Sequence, residues 1–280
     1  MIRIITDSTC DLSRERVAAL GVDVLPLSVY FGEEAFFDGV DITNEEFYDR
    51  LSRVTTLPTT SQVAPDKFER LFRQYIDQGD QIIGLFLSGE MSGTWQSACI
   101  ARDQVSPEHI FIPDTRTVTF ALGLLVETAC IFRDEGMAFP ALCETITGLI
   151  PRTLLLAAVD TLKYLKMGGR ISAATALVGG VLGISPIISV ENGIVNSVGK
   201  ARGRKLAFQW IATRMETEKP DLSLPVSFGH TNCLAAREEC MEFFKAYVAG
   251  ARIFPSDIGS VVGTHVGPGA AGIAYFRLPS

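Results

Sequence analysis

Short apolar runs that each close in a polar loop and hand over to a helical pattern constrain this chain most. Residues 2–5 end in Thr6-Asp7-Ser8, residues 81–87 in Ser88 to Gly93, and residues 110–112 in Pro113-Asp114. Helical spacing follows at 12–20, 94–104 and 120–135, and again at 44–53, 65–78 and 139–150. Buried strands that alternate with helices of this length predict a parallel, doubly wound sheet. Local signals agree. Asp11 is a candidate N-cap for the first helix, and Gly21 stops it before a strand over 22–31. Thr43 and Glu46 form a capping box for the helix at 44–53.

The second half changes order. Strands are expected at 153–159, 193–198, 226–229 and 260–264, with helices at 204–216 and 234–248. The break falls near Pro151, which divides the 280 residues into an N-terminal α/β domain, 1–151, and a C-terminal α/β domain, 152–280. Residues 171–190 carry no charge, roughly the length of a bilayer span. Gly179, Gly180, Gly183 and Pro186 argue instead for a short apolar helix and then a buried strand at 186–190.

Composition removes several function classes. The net charge of −7 makes general binding to a phosphate backbone a poor expectation. The six cysteines form no C-x-x-C pair, and three histidines offer little for a metal cluster. Scattered thiols in a reducing compartment, and a start without a basic segment leading an apolar stretch, give a cytoplasmic expectation.

Three polar clusters follow apolar runs. Pro58-Thr59-Thr60-Ser61-Gln62 is either an anion-binding row of hydroxyls or an ordinary loop before Pro65. Ser92-Gly93-Thr94 lies where a parallel strand feeds a helix, the usual ligand position of such sheets. There Gly93 admits a ligand to the backbone, and Ser92 either adds a hydroxyl or caps the helix. The third cluster runs from Gly259 to Gly272. It contains a formal G-x-G-x-x-G, but no acidic residue follows about 20 positions on, and Pro268 stiffens the loop. A dinucleotide site is therefore not expected, and no cofactor is. His265 in this cluster either orients a carboxylate or phosphate, or is structural. Arg170, after Gly168-Gly169, can pair with an anion. The run Gly199 to Lys205 is a solvated basic face, or it docks an acidic partner or anionic lipid.

Taken in order, these residues resemble one family. Thr6-Asp7-Ser8-Thr9-Cys10-Asp11, Thr60-Ser61-Gln62, Ser92-Gly93-Thr94, residues 165–172 and residues 263–269 match DegV proteins along essentially the whole chain. The chain is similar to the fatty-acid-binding subunits of bacterial fatty acid kinase. The resemblance implies a two-domain α/β fold with an apolar ligand tunnel. It implies that Thr60 and Ser92 hold a fatty-acid carboxylate, that Ser61, Gly93 and Thr94 belong to the same site, and that Arg170 and His265 support it. It also implies a non-catalytic carrier. A separate kinase subunit would phosphorylate the bound acid, and the carrier would exchange ligand by transient membrane contact. Val63, Ser185 and Thr115 depart from the family pattern near these motifs, which bears on chain-length preference and docking.

Physical chemistry supports the same picture. Each buried CH₂ of a tail contributes about 0.8 kcal/mol, and a buried head group must be hydrogen-bonded. The uncharged residues of 171–188 are candidates for the tunnel wall. The alternatives are a carrier for another amphiphilic carboxylate, and a stand-alone metal-dependent hydrolase or phosphotransferase using Asp7 and Asp11.

Overall fold

A computed structural model describes residues 1–172 and 183–279. The first half contains β1 (Ile2–Asp7), α1 (Arg14–Leu20), β2 (Asp23–Leu25), β3 (Ser28–Phe31), β4 (Glu34–Phe37) and α2 (Asn44–Arg53). It continues with β5 (Thr59–Ser61), α3 (Pro65–Ile76), β6 (Gln81–Leu85), α4 (Thr94–Val105), β7 (Ile110–Phe111), α5 (Thr119–Asp134) and α6 (Phe139–Leu149). The second half contains β8 (Thr153–Ala158), α7 (Lys163–Met167), β9 (Ile184–Glu191), β10 (Ile194–Arg202), α8 (Arg204–Thr217) and β11 (Val226–His230). It closes with α9 (Leu234–Phe244), β12 (Ile253–Asp257), α10 (Ser260–Val266) and β13 (Ala271–Phe276).

The expected parallel sheet is present, in the order β2-β1-β6-β7. Its register sets Ile4 beside Ile83 and Thr6 beside Leu85, so the polar residues after β1 and β6 emerge at one edge. The second half forms a mixed sheet, β10-β9-β8-β13-β11-β12, in which only β11 and β12 pair in parallel. A third, antiparallel sheet, β4-β3-β5, lies in the first half.

Helix α5 lies between the two larger sheets and packs against β1 and β6 on one side and β8, β11 and β13 on the other. It is buried without a break from Thr119 to Cys130, as expected of a helix apolar on all faces. Strand alternation distributes the neighbouring core. Leu155 and Ala157 of β8 join the core containing α5, whereas Leu154, Leu156 and Ala158 face the core containing α8 and α9. Glu127, at 0% exposure in the middle of α5, receives both Nε and a terminal nitrogen of Arg16 at 2.5 Å.

Several local expectations change. The single strand at 22–31 is two strands in different sheets, separated by Pro26, which has no N–H to continue a ladder. Ser13, not Asp11, caps α1, its hydroxyl accepting from the Arg16 N–H at 3.2 Å. Asp11 sits in the left-handed region (φ 53°) with its carboxylate turned elsewhere. The Thr59 to Ser61 segment is an edge strand rather than a loop, with Thr60 opposite Val29. The run 260–264 is helical, not extended; an apolar run this short does not declare its period. Strands β12 and β13 escape sequence reading for the same reason. The capping box of Thr43 and Glu46 forms as expected. The apolar helix expected after Ile171 falls on residues 173–182, outside the described residues. The strand after it forms as β9 and is longer than expected. Among the described residues no helix is long and apolar enough to cross a membrane.

Gly229 of β11 faces α5, and a Cβ there would lie 2.1 Å from the Phe120 ring. Phe120 is itself buried and has little room to retreat. Gly229→Ala is expected to destabilise the protein by about 1–3 kcal/mol, the usual cost of overpacking. A drop of several degrees in the thermal midpoint checks this; an unchanged midpoint would show that the α5 contact yields.

Candidate functional site

The ends of β1 and β6, the start of α5, strand β5 and helix α10 surround a cavity of about 330 Å³. Open α/β sheets place ligands at the carboxyl ends of their strands, and Thr9 and Leu87, just past β1 and β6, occupy that position here. The wall is largely apolar: Leu27, Leu87, Met91, Val118, Leu165, Val195, Val261, Val262 and Val266 line it. Its polar lining includes Thr9, Thr60, Ser61, Gln62, Ser92, Arg170 and His265.

The sequence-predicted residues come together. Thr60, Ser61, Ser92, Gly93, Arg170 and His265 all line this one cavity, although they derive from four separate stretches of chain. Thr94 stands behind them, fully buried at the first position of α4. Its Oγ1 is 3.0 Å from the Ser92 Oγ and accepts the Val63 N–H at 3.4 Å. The cap of α4 is Gly93, and the Ser92 hydroxyl accepts the Thr94 N–H at 3.2 Å. Both readings of Ser92 thus coexist in the geometry, since it supports the helix start and faces the cavity. The Ser61 hydroxyl reaches the Tyr30 hydroxyl at 3.3 Å, as alternation along β5 sets it opposite to Thr60.

His265 reaches the site because α10 packs against α7, β3 and β5. Its Nε2 lies 3.0 Å from the Thr60 Oγ1. Its Nδ1 is buried without a partner among the described residues. Gly168 is required at this contact, because a Cβ would come within 2.3 Å of that nitrogen. Burial, with a smaller contribution from the Arg170 charge, lowers the His265 pKa to about 4. The ring is therefore neutral at neutral pH. Arg170 donates through a terminal nitrogen to the Gly168 carbonyl at 2.6 Å and through Nε to the Met91 carbonyl at 3.4 Å. Among the described residues it makes no ion pair, so its charge stays available to an anion.

Gln62, not foreseen as a site residue, fixes two pieces of the wall. Its Nε2 donates to the Ser97 Oγ at 2.8 Å, and its Oε1 lies where a Cβ on Gly93 would be. Gly93 thus makes room for the Gln62 side chain. Thr9 falls inside the Thr6 to Asp11 motif, and Val261, Val262 and Val266 fall inside the Gly259 to Gly272 cluster, but only the three-dimensional path brings them and Val118 to one wall.

Asp7 and Asp11 are buried and engaged internally. Asp7 accepts from the Thr9 N–H (2.9 Å), the Thr9 Oγ1 (2.6 Å) and the Leu87 N–H (2.8 Å), tying β1 to the end of β6. Burial raises its pKa to about 6 against those hydrogen bonds. Asp11 accepts from the Thr119 Oγ1 at 2.6 Å and the Gly259 N–H at 2.8 Å. Both act as staples between segments. Among the described residues no group of three or more His, Cys, Asp or Glu is placed to hold a metal ion.

Fold and site define an α/β protein of two larger sheets and a small third one, with a largely apolar cavity whose lining also holds hydroxyls and one guanidinium. A family model described as uncharacterised protein of the DegV family matches residues 1–278, and the chain belongs to this family. A DegV domain-containing protein of Caldanaerobacter subterraneus subsp. tengcongensis is 34% identical over 275 residues, 98% of each chain. Among solved structures, a DegV family protein from Thermus thermophilus described by its fatty acid binding superimposes with a TM-score of 0.90 at 30% identity, covering 99% of both chains. A stearic acid-binding protein from Eubacterium ventriosum gives a TM-score of 0.90 at 28% identity, covering 99% of this chain and 98% of its own.

The lowered His265 pKa has a signed consequence. The unfolded chain takes up this proton near pH 6.5 and the folded protein only near 4. Stability from this group is complete above pH 6.5 and is lost as pH falls towards 4. His265→Gln is expected to shallow the acid limb of the stability profile in that window. Urea midpoints between pH 4 and 7 check it, and parallel profiles would refute the neutral buried ring.

Proposed function

We propose that this protein is a fatty-acid carrier. The carboxylate lies at the hydroxyl end of the cavity and the tail runs along the apolar wall. The observation that carries this reading is the make-up of the cavity: its lining holds hydroxyls, a histidine and one guanidinium but no carboxylate, and its apolar wall is Leu, Val and Met. A carrier needs such a division. The tail supplies most of the affinity at about 0.8 kcal/mol per CH₂, and the buried head group must find donors. The described binding of the Thermus thermophilus and Eubacterium ventriosum proteins supports the same ligand class.

In this reading Thr60 and Ser92 donate to the carboxylate. Protonation of His265 on Nε2 lets that nitrogen donate to the Thr60 Oγ1, which leaves the threonine O–H free for the ligand. The opposite tautomer would bury an unpaired Nδ1–H, the costlier orphan. Arg170 adds positive potential behind the hydroxyls, and Ser61, Gly93 and Thr94 shape the pocket. The protein is not itself a catalyst and takes no cofactor. A separate kinase subunit phosphorylates the bound acid, and acyl-phosphate passes towards phospholipid synthesis. The exposed Lys200, Arg202 and Lys205 at the junction of β10 and α8 give an otherwise acidic chain a basic face for an acidic partner or anionic lipid during exchange. These steps take place in the cytoplasm. The division into domains 1–151 and 152–280 follows the order in which the two larger sheets are built.

Ligand binding and catalysis each test this reading. Mass spectrometry of solvent-extracted, freshly purified protein should find a long-chain fatty acid. Ser92→Ala and Thr60→Val each remove a donor to a charged acceptor, worth about 1.5–3 kcal/mol. Affinity is expected to fall about tenfold or more. Folded variants that bind as tightly as the wild type would reject the head-group assignment. Purified protein incubated with ATP, Mg²⁺ and fatty acid should form no acyl-phosphate until a kinase subunit is added. Product in its absence would make the protein an enzyme.

A further inference from the structure

Helix α10 has a start it cannot cap for itself. Its N-cap residue is Gly259, which has no side chain, and the first N–H groups of a helix need acceptors. Two carboxylates from the first half of the chain supply them. The Gly259 N–H donates to the Asp11 Oδ1 at 2.8 Å. The Ser260 N–H and Oγ donate to the Asp38 Oδ1 at 2.9 and 2.6 Å. A Cβ on Gly259 would lie 3.1 Å from an oxygen of each aspartate, so both converge on one point that glycine keeps open. Two further bonds hold the approach to the helix. The Ser256 Oγ donates to the Asp11 carbonyl at 2.6 Å, and the Tyr48 hydroxyl donates to the Ile258 carbonyl at 3.1 Å.

The backbone around this clamp is held against local preference. Asp11 has φ 53° and Thr119, which donates to the Asp11 Oδ2, has φ 58°. A β-branched residue in the left-handed region persists only where its surroundings over-determine it. The clamp also lies close to the site it affects. Five residues separate Ser260 from His265, about 7.5 Å along the axis. A small tilt or rotation at the start of so short a helix displaces the imidazole from Thr60.

We infer that Asp11 and Asp38 are positioning residues for the head-group site: by capping α10 from the opposite half of the chain, they set the His265 Nε2 against the Thr60 Oγ1 and so aim the threonine O–H into the cavity. The binding consequence rests on the fatty-acid reading; the orientation of the His265 ring does not.

The test uses the full chain and two readouts: imidazole ¹⁵N NMR of His265 in ligand-free protein, and palmitate affinity. Asp38→Ala removes the acceptor and should abolish the hydrogen-bonded Nε2–H signal, return the ring titration towards its ordinary value and weaken palmitate binding about tenfold. Asp38→Asn keeps an acceptor oxygen and should restore the wild-type ring signature and affinity. A merely structural aspartate would lower the melting temperature without moving the ring signature. A folded Asp38→Ala protein with the wild-type ring spectrum and affinity overturns the inference. Should that variant fail to fold, Ser260→Ala deletes the hydroxyl donor that Ser260 gives Asp38. It should move the His265 titration the same way and weaken binding about threefold, and an unmoved titration overturns the inference equally. A wild-type protein that binds no palmitate would defeat the fatty-acid reading, while the ring spectra of the variants would still decide the role of Asp38.

Discussion

The burial of α5 between two sheets is the interaction on which the rest of the structure depends. Each larger sheet needs a cover on both faces. Helix α3 packs against one face of the parallel sheet, α8 and α9 against one face of the mixed sheet, and α5 serves the remaining face of both. A shared layer fixes how far apart the sheets lie and where their strand ends come level. The single charge inside it, Glu127, is tolerated because Arg16 meets it with two nitrogens. Removing Arg16 would strand the buried Glu127 carboxylate, which typically costs about 3–5 kcal/mol. The cavity follows from this arrangement, since Val118 at the approach to α5 is part of its lining together with the residues after β1 and β6.

That placement sets the chemistry available to the head-group site. A carboxylate taken out of water must be met by donors, and a salt bridge would itself require a second buried charge. The cavity offers hydroxyls and keeps its histidine neutral. Arg170 donates to two backbone carbonyls and, among the described residues, to no acid, so its charge is not cancelled by a neighbour. The nearby aspartates do not compete, because Asp7, Asp11 and Asp38 are occupied by N–H and O–H donors from neighbouring segments. Burial raises the pKa of all three. The acids therefore serve the architecture, and the cavity wall is left with hydroxyls and one cation.

How much of this was legible in the sequence depends on the range of the forces involved. The parallel sheet was readable because apolar runs, helical spacing and capping residues are local signals. The capping box at Thr43 and the stop at Gly21 formed as written. Thr60, Ser92, Arg170 and His265 belong to separate motifs, and the fold brings them to one cavity. What escaped was decided at long range. The strand character of Thr59 to Ser61 comes from pairing with β3, 29–33 residues earlier in the chain. Asp11 looked like a helix cap because it precedes a helix, but Ser13 was available for that task, and Asp11 was drawn to Thr119 and Gly259. Gln62 lay inside a quoted motif. Its role became visible only once Gly93 was seen to make room for it.

The run from Ser260 to Thr264 shows the same point in its strongest form. Ser-Val-Val-Gly-Thr has a β-branched majority and reads as a strand. It is nevertheless helical, and the physical reason lies outside the segment. Its first N–H groups meet carboxylates fixed in the other half of the chain, and Gly263 permits approach to Tyr48 and Phe47, where a Cβ would come within 2.7 and 2.8 Å. An extended segment would put its donors and its histidine on a different period. The conformation of these few residues is therefore a property of the contact between the two halves, and so is the histidine–threonine pair that it creates. A site assembled in this way exists only when both halves are folded and docked. This couples the geometry of the cavity directly to the integrity of the interface.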